Sequence, residues 1–169
     1  YAPWRREFTD LFRLGAKLAP VIARWRHTLQ LDAGITLVAL HLRRGDFGAN
    51  EFWIAPEAWY LTWLESLWPR LERPVLYIAT DEPAVLGAFR AYAPLDASHL
   101  GDALPGAEFF ADFYVLTQAR HVAISNSSFS FAASMLNERA AGFLRPEKSS
   151  QRLASFNPWA AAVMLRYPS

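Results

Sequence analysis

The sequence predicts an α/β domain built on a parallel sheet, and three observations predict it. Residues 35–42 form an apolar run of β-branched and leucine side chains broken only by Thr36 and His41, the pattern of a strand buried on both faces. Shorter apolar runs at residues 75–79 and 122–125 alternate with segments of helical spacing, so successive strands must be joined by crossovers, which are right-handed. Each of the three runs ends in polar residues, as strands do where an open α/β sheet meets its ligand.

Taken in order, residues 8–29 place Phe8, Leu11, Phe12, Leu18, Ile22, Trp25 and Leu29 at near-helical spacing, with Pro20 starting a second helix. Arg5, Arg6, Arg13, Lys17, Arg24 and Arg26 give these helices a basic, solvated face. Residues 32–34 turn the chain into the first strand. After Phe47 a loop carries Asn50, Glu51, Phe52 and Trp53, and Pro56 opens a helix to about Trp68. Trp59 and Trp63 are four apart and are expected on its core face. The strand at 75–79 is followed by a helix at 84–92, a short strand near 95–97, and a helix at 107–120. The strand at 122–125 leads into a helix to about Glu138. A last strand is expected at 142–144. Residues 149–151 read as a polar connection. Asn157 and Pro158 are suited to cap and open a C-terminal helix to about Arg166.

The 169 residues, 53% of them hydrophobic, suit one folded domain, with leading helices at 1–33 and the α/β core at 34–169. A net charge of only +1 argues against a general nucleic-acid binder. No apolar run reaches the length of a membrane span and the sequence, which starts at Tyr1, shows no signal peptide, as an excised domain would, while the absence of cysteine fits a reducing compartment. A cytoplasmic location is therefore expected. No P-loop or glycine-rich dinucleotide fingerprint is present, and the four histidines lack metal-ligand spacing, so neither a cofactor nor a metal site is expected.

In a parallel sheet three polar strand ends share one edge: His41-Leu42-Arg43-Arg44-Gly45-Asp46, Thr80-Asp81-Glu82 and Ser125-Asn126-Ser127-Ser128. Strand alternation puts His41 and Arg43 on one side and Arg44 on the other, so one arginine is expected in the crevice and the other bracing a loop or an acidic residue. Ser127 and Ser128 fall where a strand turns into a helix, where free N–H groups and the helix dipole favour an anion; the alternative for either serine is a plain N-cap. Arg44-Gly45-Asp46 spells an adhesion tripeptide and Asn126-Ser127-Ser128 a glycosylation sequon, but both lie at the end of a buried strand.

His41-Leu42-Arg43-Arg44-Gly45-Asp46 resembles the His-x-Arg-Arg-x-Asp motif of the GDP-fucose-dependent fucosyltransferases, the superfamily of α-1,2-, α-1,6- and protein O-fucosyltransferases. Ala79-Thr80-Asp81-Glu82-Pro83 looks like their second motif. Asp112-Phe113-Tyr114-Val115-Leu116-Thr117-Gln118-Ala119, followed by Ile124-Ser125-Asn126-Ser127-Ser128-Phe129-Ser130, looks like their third. The resemblance runs from about residue 35 to residue 135.

It implies the Rossmann-like, C-terminal half of a GT-B glycosyltransferase that binds GDP-fucose and transfers fucose to a glycan or protein acceptor hydroxyl with inversion, without an essential metal. An N-terminal acceptor domain would then belong to a larger enzyme. By position His41 and Asp112 would contact guanine, Arg43 the β-phosphate, and Ser128 with its neighbours Ser127 and Phe129 the pyrophosphate. Arg44 counts among the donor ligands, and Asp81 would support the site. Glu51, ten residues after His41, matches a catalytic glutamate of the α-1,6-type relatives, with Asp46 the second candidate base. Those relatives carry a lysine where this chain has Phe47. The alternative function is a GDP-sugar or phosphate-binding module without transfer.

Overall fold

The structure, a computed structural model, describes residues 1–49, 52–101 and 103–165, with the backbone alone at Asp32. One sheet organises it, in the order β2-β1-β3-β4-β5, with β1 at Thr36–Leu42, β2 at Pro74–Thr80, β3 at His121–Ala123, β4 at Gly142–Glu147 and β5 at Arg152–Phe156. The first four run parallel and β5 is antiparallel to β4. The chain leaves β1 for β2 on one side and then crosses to β3 on the other. A crevice therefore opens between the carboxyl ends of β1 and β3, at the switch point of the sheet.

The helices are α1 (Arg5–Leu11), α2 (Ala19–Thr28), α3 (Glu57–Leu67), α4 (Phe110–Gln118) and α5 (Ser128–Leu136). Alternation along the strands divides the core into two layers. Leu37, Ala39, Tyr77, Ala79 and Val122 face Trp25 of α2, Tyr114 and Val115 of α4, and Phe131 of α5. Val38, Leu40, Leu42, Leu76 and Ile78 face Tyr60 and Leu64 of α3 and Phe89. The central run of β1 is buried throughout because both faces are covered.

Several sequence expectations change. Residues 83–92 wind as successive 3₁₀ turns, from which Val85 and Phe89 still reach the core. The strand expected near 95–97 shrinks to one bridge, Tyr77 to Leu95, because Asp96 already caps the next turn by accepting from the Ser98 N–H. On α3 the burial falls on Tyr60, Leu64 and Leu67, with Trp59 and Trp63 only half-buried at the layer's margin. Residues 152–156, unassigned from the sequence, form β5, with Leu153 packed in one layer and Phe156 in the other. The C-terminal helix does not form: residues 158–165 are turns, and Arg166 lies outside the described residues. The Asn126 amide holds that segment instead, donating to the Leu165 carbonyl at 2.9 Å and accepting from the Leu165 N–H at 2.8 Å. Both bonds use backbone groups that a helix continuing through Leu165 would have needed.

Candidate functional site

Polar strand ends and two helix ends enclose a cleft of about 480 Å³ at the carboxyl edge of the sheet. His41 and Arg43 enter from β1 and its extension, Thr80 and Asp81 from β2, and Ser127, Ser128 and Phe129 from the start of α5. Asp112 enters from the first turn of α4. Asp46, Phe47, Phe52, Phe109 and Met164 complete the lining, with Phe47 edge-on to Phe52 and Phe109 edge-on to Phe129.

Asp81 builds the floor of the turn after β1. Its carboxylate accepts from the Arg44 N–H at 2.8 Å and the Gly45 N–H at 3.0 Å, and meets Arg43 Nε at 3.2 Å. The approach needs glycine: a Cβ on Gly45 would stand 2.8 Å from Asp81 Oδ2. Arg43 Nε also donates to Asp46 Oδ1 at 2.9 Å. Both of these ion pairs use Nε, and the two terminal guanidinium nitrogens make no hydrogen bond among the described residues. That hydrogen bond to Arg43 holds the Asp46 carboxyl below the usual carboxylate range.

Arg44, counted among the candidate ligands, lies outside the cleft. Alternation turns it toward α3, where it is 6% exposed, donates to the Ala55 carbonyl at 2.9 Å and lies 3.0 Å from Glu57 Oε1. It braces the entry to α3. Glu51, the first candidate base, lies outside the described residues.

His41 is buried, and burial together with the Arg43 guanidinium pushes its imidazole down to about 3, against the opposing pull of Asp81. It is neutral at physiological pH. Its Nδ1 lies 2.9 Å from Ser125 Oγ, which accepts from the Arg43 N–H at 3.3 Å. The serine oxygen can accept from both the Arg43 N–H and a Nδ1–H, or donate its own proton to Nδ1, so the neutral imidazole presents either a donor or an acceptor at Nε2 to the cleft it lines. Phe129 packs at 5.3 Å from the His41 ring and fixes its plane.

Ser127 is the N-cap residue of α5, extended at φ −130° and ψ 135°, but its side chain makes no capping bond. The first N–H groups of α5 therefore point out of the helix end toward the cleft without a side-chain acceptor, and the helix dipole adds positive potential there. Asp112 receives a 2.7 Å hydrogen bond from the Tyr77 hydroxyl. Burial pushes the Asp112 carboxyl up to about 6, although the Tyr77 bond opposes the rise. Phe52 and Phe109, 44% and 59% exposed, offer flat apolar faces at the cleft they line. Among the described residues no group of three His, Cys, Asp or Glu side chains is arranged to hold a metal, and no helix is long and apolar enough to cross a membrane.

The cleft thus collects His41, Arg43, Asp46, Asp81, Asp112, Ser127, Ser128 and Phe129, and leaves Arg44 out. Sequence reasoning missed Ser125 as the link between two motif residues, Tyr77 as the partner of Asp112, and Met164. The first two lie at a strand end and on the inward face of a strand, positions that signal burial without signalling a partner. Met164 carried no signal.

The architecture defines the chain as a Rossmann-like α/β domain with a crevice at the carboxyl edge of its sheet. A solved structure shares this fold: NodZ alpha-1,6-fucosyltransferase, in a crystal soaked with GDP-fucose, matches with a TM-score of 0.54 over 92% of this chain at 15% sequence identity. The chain spans about half of that protein, 50% of its length. No family model matches the sequence, and no curated protein matches it.

Proposed function

We infer that this chain is the donor-binding domain of a fucosyltransferase-like glycosyltransferase, with GDP-fucose in the cleft. One observation carries the reading. A guanidinium, the open amino end of a helix and a carboxylate in the same cleft have the separate chemistries that a diphosphate and a purine edge require. The fold shared with a fucosyltransferase and the three motifs support fucose as the donor sugar.

In this reading Arg43 and the first N–H groups of α5 hold the diphosphate, and His41 and Asp112 meet guanine. Arg43 serves twice. It binds the donor, and it stabilises the charge that builds on the diphosphate as it leaves. Transfer with inversion is an in-line displacement: the acceptor oxygen bonds to the anomeric carbon, the bond to the β-phosphate oxygen breaks, and a base takes the hydroxyl proton. Asp46 suits that last role poorly, since pairing with Arg43 lowers its basicity. Glu51 remains the proposed base. The experiment is Glu51→Gln: GDP-fucose binding persists while transfer falls about a hundredfold or more. Transfer at the wild-type rate rejects the assignment.

The second reading, binding without transfer, has one observation in its favour. The cleft carboxylates among the described residues are each engaged, Asp46 by Arg43, Asp81 by two backbone N–H groups, and Asp112 by Tyr77. Release of GDP from GDP-fucose, with and without acceptor sugars, separates the two readings.

A further inference from the structure

Tyr77 is buried completely at the centre of β2, on the strand face that looks toward α4. An interior tyrosine needs a partner for its hydroxyl. Here the partner is a carboxylate that lines the cleft, at 2.7 Å and 35 positions further along the chain. The hydroxyl donates to Asp112 Oδ1. A carboxylate has about four acceptor positions on its two oxygens. Among the described residues one is taken, on Oδ1, which limits how the carboxylate can turn in the cleft it lines.

We propose that Tyr77 is a positioning residue for Asp112: its hydroxyl pins one carboxylate oxygen so that the group meets the hydrogen-bonding edge of a purine in a single orientation. The proposal rests on the assignment of Asp112 to the donor base made above. It adds a consequence which that assignment does not contain, namely that recognition of the base is linked to protons. Burial lifts the Asp112 carboxyl to about 6, the nearby Asp96 carboxylate adds to the rise, and the Tyr77 hydrogen bond limits it. Asp96 is itself tied to Ser98 and lies 2.8 Å from His99 Nδ1. On the cleft side the titratable groups are His41, held neutral, and Arg43 with its partners Asp46 and Asp81. Ionised Asp112 accepts the two N–H groups of a guanine edge. Protonated Asp112 turns a donor toward them. Selectivity for GDP over UDP should therefore rise with pH through about 6. The terminal phosphate of each nucleotide titrates in the same range, but this is common to both and cancels in the ratio of affinities.

The experiment is calorimetry of GDP and UDP from pH 5 to pH 8 on the wild type, Asp112→Asn and Tyr77→Phe. The expected result for Tyr77→Phe is a GDP-to-UDP ratio about tenfold lower at pH 7, with the midpoint of its pH dependence moved upward. A ratio and midpoint unchanged in Tyr77→Phe overturn the proposal, and so does an equal loss for both nucleotides. If Tyr77→Phe does not fold, carboxyl NMR of the wild type, assigned with Asp112→Asn, decides. The Asp112 and Tyr77 signals should move together near pH 6, and a Tyr77 signal flat across that range overturns the coupling. A wild type that binds neither nucleotide, or both alike, overturns the donor-base assignment and this inference with it. A wild type whose preference for GDP needs Asp112 but not Tyr77 overturns this inference alone.

Discussion

Replacing Asp81 by asparagine should dismantle the turn that carries Arg43. The wild-type carboxylate accepts two backbone N–H bonds, from Arg44 and Gly45, and meets Arg43 Nε at 3.2 Å. An asparagine can keep one of the backbone bonds through its single oxygen. Its amide nitrogen then faces the other N–H, donor to donor, and Arg43 loses one of its two counter-charges. A hydrogen bond to a charged group contributes about 1.5–3 kcal/mol when buried. The Asp81 side chain is 24% exposed, so water recovers part of the loss. The expected cost is about 2 kcal/mol, at the lower end of that range. In a protein of this size that lowers Tm by roughly 4–8 °C. Urea unfolding should show a lower midpoint with an unchanged slope, because the surface exposed on unfolding does not change. Gly45→Ala attacks the same contact from the other side, since its Cβ would stand 2.8 Å from Asp81 Oδ2, and it should reproduce the loss in stability. An Asp81→Asn protein within about 0.5 kcal/mol of wild type would refute the reasoning, since that is the range of an inert surface change.

Three further outcomes follow from the site. Arg43→Ala should weaken GDP binding by roughly 2 kcal/mol or more in calorimetry, with Arg43→Lys restoring only part of it; unchanged affinity in both variants removes Arg43 from the phosphate site. Asp112→Asn should stabilise the unliganded protein at pH 8. A carboxyl raised in the folded state contributes stability only while it is protonated, and loses it as pH rises through about 6. The gain, about 2 kcal/mol, should shrink as pH falls from about 6 to about 4 in thermal melts and vanish below about pH 3, where both states are protonated without the mutation. His41, depressed to about 3, behaves in the opposite sense: its burial as the neutral form costs stability as pH falls from about 6.5 toward 3. Its ring nitrogens should keep a neutral imidazole pattern in NMR spectra down to pH 4.5, and protonation near pH 6.5 would contradict its placement.

Much of this arrangement was legible in residues 35–47. An apolar run that stops at charge and glycine fixes a buried strand and the end at which chemistry collects, and alternation separates Arg43 from Arg44. The alternation also told against Arg44 as a ligand, although the motif counted it as one; its ion pair with Glu57 depends on where α3 begins, which local pattern does not specify. β5 escaped notice because its exposure never alternates cleanly, and an antiparallel edge strand needs only one good partner. Asn157 and Pro158 are sound helix-opening residues, yet two hydrogen bonds to Asn126, 39 positions away, outweigh them. The Tyr77–Asp112 bond likewise joins residues 35 apart, and nothing in either neighbourhood announces the other.

The donor assignment is tested most directly by a thermal-shift series on this 169-residue chain with GDP-fucose, GDP, and the UDP and CMP sugars. A ligand at a hundredfold excess over its Kd stabilises a protein by about 2.7 kcal/mol, which here corresponds to roughly 5–10 °C. GDP-fucose and GDP should produce that shift and the UDP and CMP sugars should not. Equal shifts from all the nucleotides, or none from GDP-fucose, would contradict the account.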